Sequence, residues 1–252
     1  MKIMEYPIRI NKYLRDSGLA SRREADKLVE DGLVFINKRK AENGILVSEG
    51  DDVVVKGEKK KYQYLAYYKP QGLATQDFAG RKSVIADWKN KGLYPIGRLD
   101  KESEGLLILT NDGRFAREVL SENFPILSPT KSELQNRGSS IFPPNRNDLG
   151  KIGTKYEKEY IVTVKEPLRA GIPAIFRSGM QTKNLGKLLP ARVEIINRTT
   201  LRVILKEGKR HQIRVMLSEL HCTVTSLKRI RIGDIRLGNL KPGQTRSFVP
   251  KF

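Results

Sequence analysis

The stretch Gly97–Asp112, GRLDKESEGLLILTND, decides how the chain is read. Leu106 to Leu109 is an unbroken apolar run, bounded by Gly105 on one side and by Thr110-Asn111-Asp112-Gly113 on the other. Such a run, closed by turn formers, fits a strand buried on both faces. Directly before it lies a turn containing Gly and Ser, and in that turn stands Asp100. A carboxylate on a loop braced by a core strand is held rigidly, which is how a fold presents a reacting group. An arbitrary loop Asp is more often a solvated turn residue, with Arg98 and Lys101 as passing neighbours.

Working outward, Tyr64-Leu65-Ala66-Tyr67-Tyr68, Tyr160 to Val164, Val193 to Ile196 and Leu201 to Leu205 are strand-like, and Phe115 to Leu120 and Arg210 to Leu220 suggest helices. Mixed strands with few helices predict an α+β fold. Near the N-terminus, Arg9 to Gly18 reads as a short helix with Ile10, Tyr13 and Leu14 on one stripe. A second helix is expected from Ser21, because Ser21 and Glu24 form a capping box, Ala25, Leu28 and Val29 give an apolar face, and Gly32 supplies a stop. Val34-Phe35-Ile36, the basic turn Asn37 to Lys40 and Val53-Val54-Val55 complete a compact unit. The lysine-rich stretch Lys56 to Lys61 reads as a polar linker. The expected division is therefore an N-terminal domain at 1–56, a linker at 57–62 and a larger domain at 63–252. Within the latter, 121–157 is rich in Pro, Ser, Asn and Gly and is expected to be a mobile loop insertion.

At 252 residues the chain can bury a substantial core without a disulfide or metal staple. Its single cysteine, Cys222, cannot form an intrachain disulfide, and a reducing compartment is the simplest expectation. With only His211 and His221 beside that cysteine, no zinc set of recognised spacing exists, and no metal is expected. The N-terminus has no apolar signal-peptide core and no run of eighteen apolar residues occurs, so a cytoplasmic protein is expected. The net charge of +20 points to a polyanionic partner, most simply nucleic acid. Its distribution is uneven: residues 161–252 carry 19 basic and 5 acidic side chains, whereas residues 1–61 carry 14 and 11. Binding of RNA should therefore weaken steeply with salt.

Gly97-Arg98-Leu99-Asp100, followed by Ser103-Glu104-Gly105-Leu106-Leu107, resembles the catalytic signature of RsuA-type pseudouridine synthases. Other motifs match in order: Tyr67-Tyr68-Lys69-Pro70-Gln71-Gly72, Lys158-Glu159-Tyr160, Glu207 to Arg214, and Leu227-Lys228-Arg229. Residues 8 to 55 are similar to the αL RNA-binding motif found in a ribosomal protein, some aminoacyl-tRNA synthetases and many pseudouridine synthases. The resemblance implies a small αL domain followed by a mixed-sheet catalytic domain with helices packed on it and a cleft along one side.

It further implies conversion of uridine to pseudouridine in ribosomal RNA, without a cofactor. Asp100 falls on the position of the reacting carboxylate, which attacks the substrate or stabilises positive charge developing on the ribose. Arg214 falls on the position that pairs with that carboxylate through a guanidinium fork. Tyr160 matches the tyrosine that packs against the base, where stacking offsets the cost of taking a nucleotide out of its helix. Arg98, Leu99 and Leu227 are expected in the substrate pocket. Expected RNA contacts are Arg22, Arg23 and Lys27 on the second helix, Lys38, Arg39 and Lys40 in the basic turn, and Lys209, Arg210, Lys228 and Arg229 downstream. The implied partner is ribosomal RNA or a pre-ribosomal particle, with large-subunit RNA favoured and a monomer as the acting species.

A rival from another class is a non-catalytic RNA-binding assembly factor on the same fold. The αL module and the charge fit both readings, and Asp100, Tyr160 and Arg214 discriminate between them, because a pure binder does not need all three. An RNA methyltransferase would need a Gly-x-Gly-x-x-Gly turn after a strand, and the sequence has none.

Overall fold

Ser21 starts a helix in the computed structural model as its sequence requires. Its hydroxyl accepts from the Glu24 amide while the Glu24 carboxylate accepts from the Ser21 amide, so two otherwise unpaired amides are satisfied at once. The structure describes residues 4–57, 61–76, 82–121, 124–125 and 152–251. Of the expected linker, 58–60 lie outside the described residues. So do 122–123 and 126–151 of the expected 121–157 insertion.

The chain divides into two compact units, Met1–Gln63 with Thr110–Arg117, and Tyr64–Leu109 with Glu118–Phe252. In the first, β1 (Ile8–Arg9) runs into α1 (Ile10–Asp16), and α2 (Arg22–Glu30) follows. Then come β2 (Val34–Ile36), β3 (Arg39–Lys40), β4 (Leu46–Val47) and β5 (Val53–Val55). β3, β2 and β5 form an antiparallel sheet, and β1 pairs with β4. Ile10, Leu14, Ala25, Val29 and Val34 share one core, so the apolar stripes expected of the two helices meet there. α2 ends before Gly32, whose φ of +66° is the left-handed geometry that favours glycine.

The second unit is built on β6 (Tyr64–Lys69), α3 (Val84–Lys89), β7 (Tyr94–Ile96) and β8 (Glu104–Thr110); in α4 (Gly113–Leu120), which follows, the residues up to Arg117 belong to the first unit and those from Glu118 to the second. After the short strands β9 (Phe124–Pro125) and β10 (Ile152–Gly153) come β11 (Lys158–Val164), α5 (Ile172–Arg177), β12 (Gln181–Thr182), β13 (Gly186–Lys187), β14 (Arg192–Ile195) and β15 (Thr200–Leu205). α6 (Gln212–Ser218), β16 (Val224–Ile232), β17 (Ile235–Arg236) and β18 (Thr245–Ser247) complete it. One sheet runs β14-β15-β11-β16-β8-β6-β18, with β17 on β16 and β7 on β8. β11 is antiparallel to both β15 and β16, whereas β16 and β8 are parallel, so the sheet is mixed and the fold is α+β.

The Leu106–Leu109 run lies in β8, with all four side chains fully buried, as a strand covered on both faces must be. Val162, Val164, Leu201, Val203 and Leu205 alternate into a core that also holds Phe176, Met216 and Leu217. Helix limits differ from the pattern-based expectation in one informative place. Apolar spacing predicts a helix over 210–220, yet α6 begins only at Gln212. His211 takes a left-handed φ of +54° at its N-terminal cap and sets the chain at an angle into the helix.

Candidate active site

Asp100 stands between β7 and β8, on a loop whose next regular element is the fully buried part of the sheet. It lines a cleft of about 620 Å³ together with Tyr160, Leu227 and Arg229 from the central strands and His211 from the turn before α6. Arg98, Leu99, Lys209 and Arg210 line the same cleft, and the polar rim comes from the 208–212 turn. Tyr160 lies in β11 opposite Arg229 in β16, and Val162 lies opposite Leu227, so the register of one strand pair puts an aromatic ring, a guanidinium and an apolar side chain side by side. Tyr160 and Leu227 are 7 % and 5 % exposed, which makes them a floor, while Asp100 keeps 30 % of its side chain open to the cleft.

The charges around that carboxylate are not the ones expected. Among the described residues Arg214 makes no ion pair with Asp100. As the third residue of α6 it directs its guanidinium to two backbone oxygens, those of Glu102 at 3.1 Å and Val224 at 3.4 Å. It therefore grips the loop two residues past Asp100 and not the carboxylate itself, and it lines a neighbouring depression with Ser218 and His221. The side chain beside the carboxylate is the His211 imidazole, whose Nε2 is 3.4 Å from Asp100 Oδ1.

Arg229 also needs correction. Expected to touch RNA at the surface, it is 3 % exposed. Its place in β16, next to both β11 and β8, turns the side chain inward, and its guanidinium donates to the carbonyls of Leu106 and Arg98. Lys209 is exposed, but its ammonium donates to the carbonyls of Leu185 and Lys187 and so ties the turn to the β12–β13 hairpin. Lys228 lies over the ring of Tyr68, 4.9 Å from its centroid. Arg22, Arg23, Lys27, Lys38, Arg39, Lys40 and Arg210 are exposed, as a phosphate contact requires. Among the described residues no three His, Cys, Asp or Glu side chains gather in a way that could hold a metal ion.

Sequence reasoning passed over Lys69, although it stands in the Tyr67–Gly72 motif that carried the resemblance. Lys69 is fully buried and donates to the carbonyls of Pro70 at 2.8 Å, Leu73 at 2.7 Å and Lys101 at 3.5 Å. Burial pulls its pKa from the ordinary 10.5 to about 8. The Arg229 guanidinium adds to the fall, and the carboxylates of Asp100, Glu102 and Glu104 oppose it. Two buried cations thus lie under the Asp100 loop.

The low pKa has a consequence for stability. Between about pH 8 and pH 10.5 the folded chain binds fewer protons at Lys69 than the unfolded chain does, so stability from this group rises with pH through that window. Lys69→Met has no proton to lose there. The unfolding free energy of the native chain, relative to that variant, should climb by on the order of 3 kcal/mol across the window. Denaturant titrations at a series of pH values measure it, and a flat difference would mean that Lys69 stays charged.

The family model for the S4 domain matches residues 8–53, and that for RNA pseudouridylate synthase matches residues 63–132. A dual-specificity RNA pseudouridine synthase RluF from Salmonella typhi is 33 % identical over 257 residues, 96 % of this chain and 75 % of its own. Ribosomal large subunit pseudouridine synthase B from Bacillus subtilis is 29 % identical, over 96 % of this chain and 92 % of its own. A crystal structure of a pseudouridylate synthase superposes with a TM-score of 0.62 at 23 % identity, covering 96 % of both chains, and so shares the fold.

Proposed function

The chain belongs to the RsuA-type family of RNA pseudouridine synthases, and on that premise we propose that it isomerises a uridine of ribosomal RNA with Asp100 as the reacting carboxylate. The observation that carries the reading is the shared cleft, in which a partly open carboxylate faces a buried tyrosine and a leucine beneath a basic rim. A flat apolar and aromatic floor suits a pyrimidine taken out of its stack, and stacking on an aromatic ring returns about 1 to 3 kcal/mol of the cost of extrusion.

The reaction conserves atoms and electrons. The bond from ribose C1′ to N1 of the base breaks, a bond from C1′ to C5 forms, the hydrogen on C5 leaves as a proton, and N1 takes one up. No redox partner or energy source enters that balance. Asp100 serves either by adding to the substrate and leaving again or by stabilising the positive charge that develops on the ribose. Tyr160 supports the base. Arg214 holds the Asp100 loop through the Glu102 carbonyl, a bracing role in place of the ion pair read from sequence.

Residues 1–56 fit an RNA-gripping module, with Arg22 and Arg23 at the first turn of α2, where backbone amides already favour phosphate. Ribosomal RNA is the favoured target because the relatives named above include an enzyme of the large ribosomal subunit. Mass mapping of pseudouridine in ribosomal RNA from cells with and without the gene tests the proposal. One site should vanish in its absence and return when the purified protein acts on that RNA. An unchanged map together with an inert protein would leave the non-catalytic assembly factor as the reading.

A further inference from the structure

The loop that presents Asp100 is held by its carbonyl oxygens, one after another. That of Arg98 accepts from Arg229, that of Asp100 from the Ser103 amide, that of Lys101 from the Gly72 amide and Lys69, and that of Glu102 from Arg214. Leu99 is held differently. The Thr75 hydroxyl donates to the Leu99 carbonyl at 2.6 Å and accepts from the Leu99 amide at 3.0 Å. One oxygen therefore fixes both peptide planes that flank Leu99, and the second of these planes contains the Cα of Asp100.

Both partners are shielded from water, Thr75 at 3 % and Leu99 at 6 % exposure, so neither Leu99 group has solvent as an alternative partner. Thr75 is itself anchored. Its carbonyl accepts from the Ile85 amide and that of Ala74 from the Val84 amide, both in the first turn of α3. The hydroxyl thus links α3 to the peptide that aims the carboxylate.

Building on the reading of Asp100 as the reacting group, we infer that Thr75 is a positioning residue of the reaction, whose hydroxyl sets the direction of the Asp100 side chain into the cleft. Packing alone does not account for the arrangement. Leu99 is part of the unit's apolar core, but a core contact constrains a side chain and leaves its peptide planes free to tilt. A reacting atom displaced by about 1 Å loses on the order of 100-fold in rate, so a small tilt suffices.

The test separates the hydroxyl from the shape around it. Thr75→Val keeps the volume and removes both hydrogen bonds, and Thr75→Ser keeps the hydroxyl. Pseudouridine formation is followed on ribosomal RNA from cells lacking the gene, with Asp100→Asn in the same assay. Thr75→Val should lower kcat by about 10- to 100-fold with KM within about twofold, while Thr75→Ser recovers most of the loss. Should the valine variant fail to fold, Thr75→Cys, with its weaker thiol bonds, carries the test, and its kcat should fall below that of the serine variant. A valine or cysteine variant as fast as the native enzyme overturns the inference, and so does an equal loss in the serine variant or a loss confined to KM. An inert Asp100→Asn beside a fully active Thr75→Val overturns the role of Thr75 alone, whereas an active Asp100→Asn overturns the reading of Asp100 and the inference together.

Discussion

Replacing Asp100 by Asn should lower pseudouridine formation by on the order of 10³-fold or more while leaving the fold and the affinity for RNA as they are. The separation is clean because the carboxylate supports little of the structure. Among the described residues its one basic side-chain neighbour within 4 Å is the His211 imidazole at 3.4 Å, and the loop is fixed through backbone groups and not through the Asp100 side chain. Asn has the same shape and keeps a hydrogen-bond acceptor toward His211, but it neither adds to carbon nor offers a full negative charge to a developing cation. Turnover on ribosomal RNA, thermal unfolding and filter binding are the three measurements. Residual turnover within about tenfold of the native rate would mean that the chemistry sits elsewhere, since loss of a reacting group costs far more than that.

The absence of an Asp100–Arg214 contact makes this experiment sharper. A carboxylate buried with a guanidinium would leave an unpaired charge when neutralised, and the substitution would then damage stability as well as rate. Asp100 instead keeps part of its side chain in the open cleft, so its hydration is lost only when substrate fills the space. The buried cations lie one layer below, at Lys69 and Arg229, and act on the loop chiefly through its carbonyls.

Much of this was legible in the sequence because the features concerned are local. The Ser21–Glu24 box, the left-handed Gly32 and the doubly buried Leu106–Leu109 run each follow from a few consecutive residues, and each is present. Asp100, Tyr160 and Leu227 meet in one cleft as the ordered motifs imply. What could not be read is set by pairing across long separations. Arg229 looks like any other cation in a basic third of the chain, and only the parallel register with Gly105 and the antiparallel register with Tyr160 turn it inward. Lys69 is hidden for the same reason, since nothing in Tyr-Tyr-Lys-Pro says that three carbonyls will converge on the ammonium. Thr75 carries no local signal, because its partner lies 24 residues away. Arg214 was placed on the correct helix, but a side chain with five donors finds whichever acceptors the fold supplies, and these were backbone oxygens.

Gly105→Ala should be among the most damaging substitutions of a single methyl group anywhere in the described residues of the larger unit. Gly105 has a φ of +106°, and a Cβ built there would lie 2.3 Å from the Arg229 carbonyl oxygen and 2.8 Å from the Arg229 nitrogen. Both are backbone atoms of β16, directly opposite Gly105 in the parallel pairing, so no side chain can swing aside to make room. Either β8 and β16 separate or the pairing slips, and in both cases Arg229 loses its hold on the Leu106 and Arg98 carbonyls. Backbone strain and a backbone clash together should cost more than about 3 kcal/mol, a fall in unfolding midpoint of roughly 6 to 12 °C for a chain of this size. Gly92→Ala is the control. Its φ of +67° is also left-handed, but nothing lies within 4 Å of the added carbon, so only the conformational penalty of about 1 kcal/mol applies. If calorimetry finds the two variants equally mild, β8 and β16 are not in close contact at this point, and the explanation of why Arg229 is buried fails with it. If Gly105→Ala is the severe one, the glycine in the Ser-x-Gly-Leu-Leu stretch has a steric reason. It lets two strands approach closely enough for a guanidinium in one to hold the loop that leads into the other.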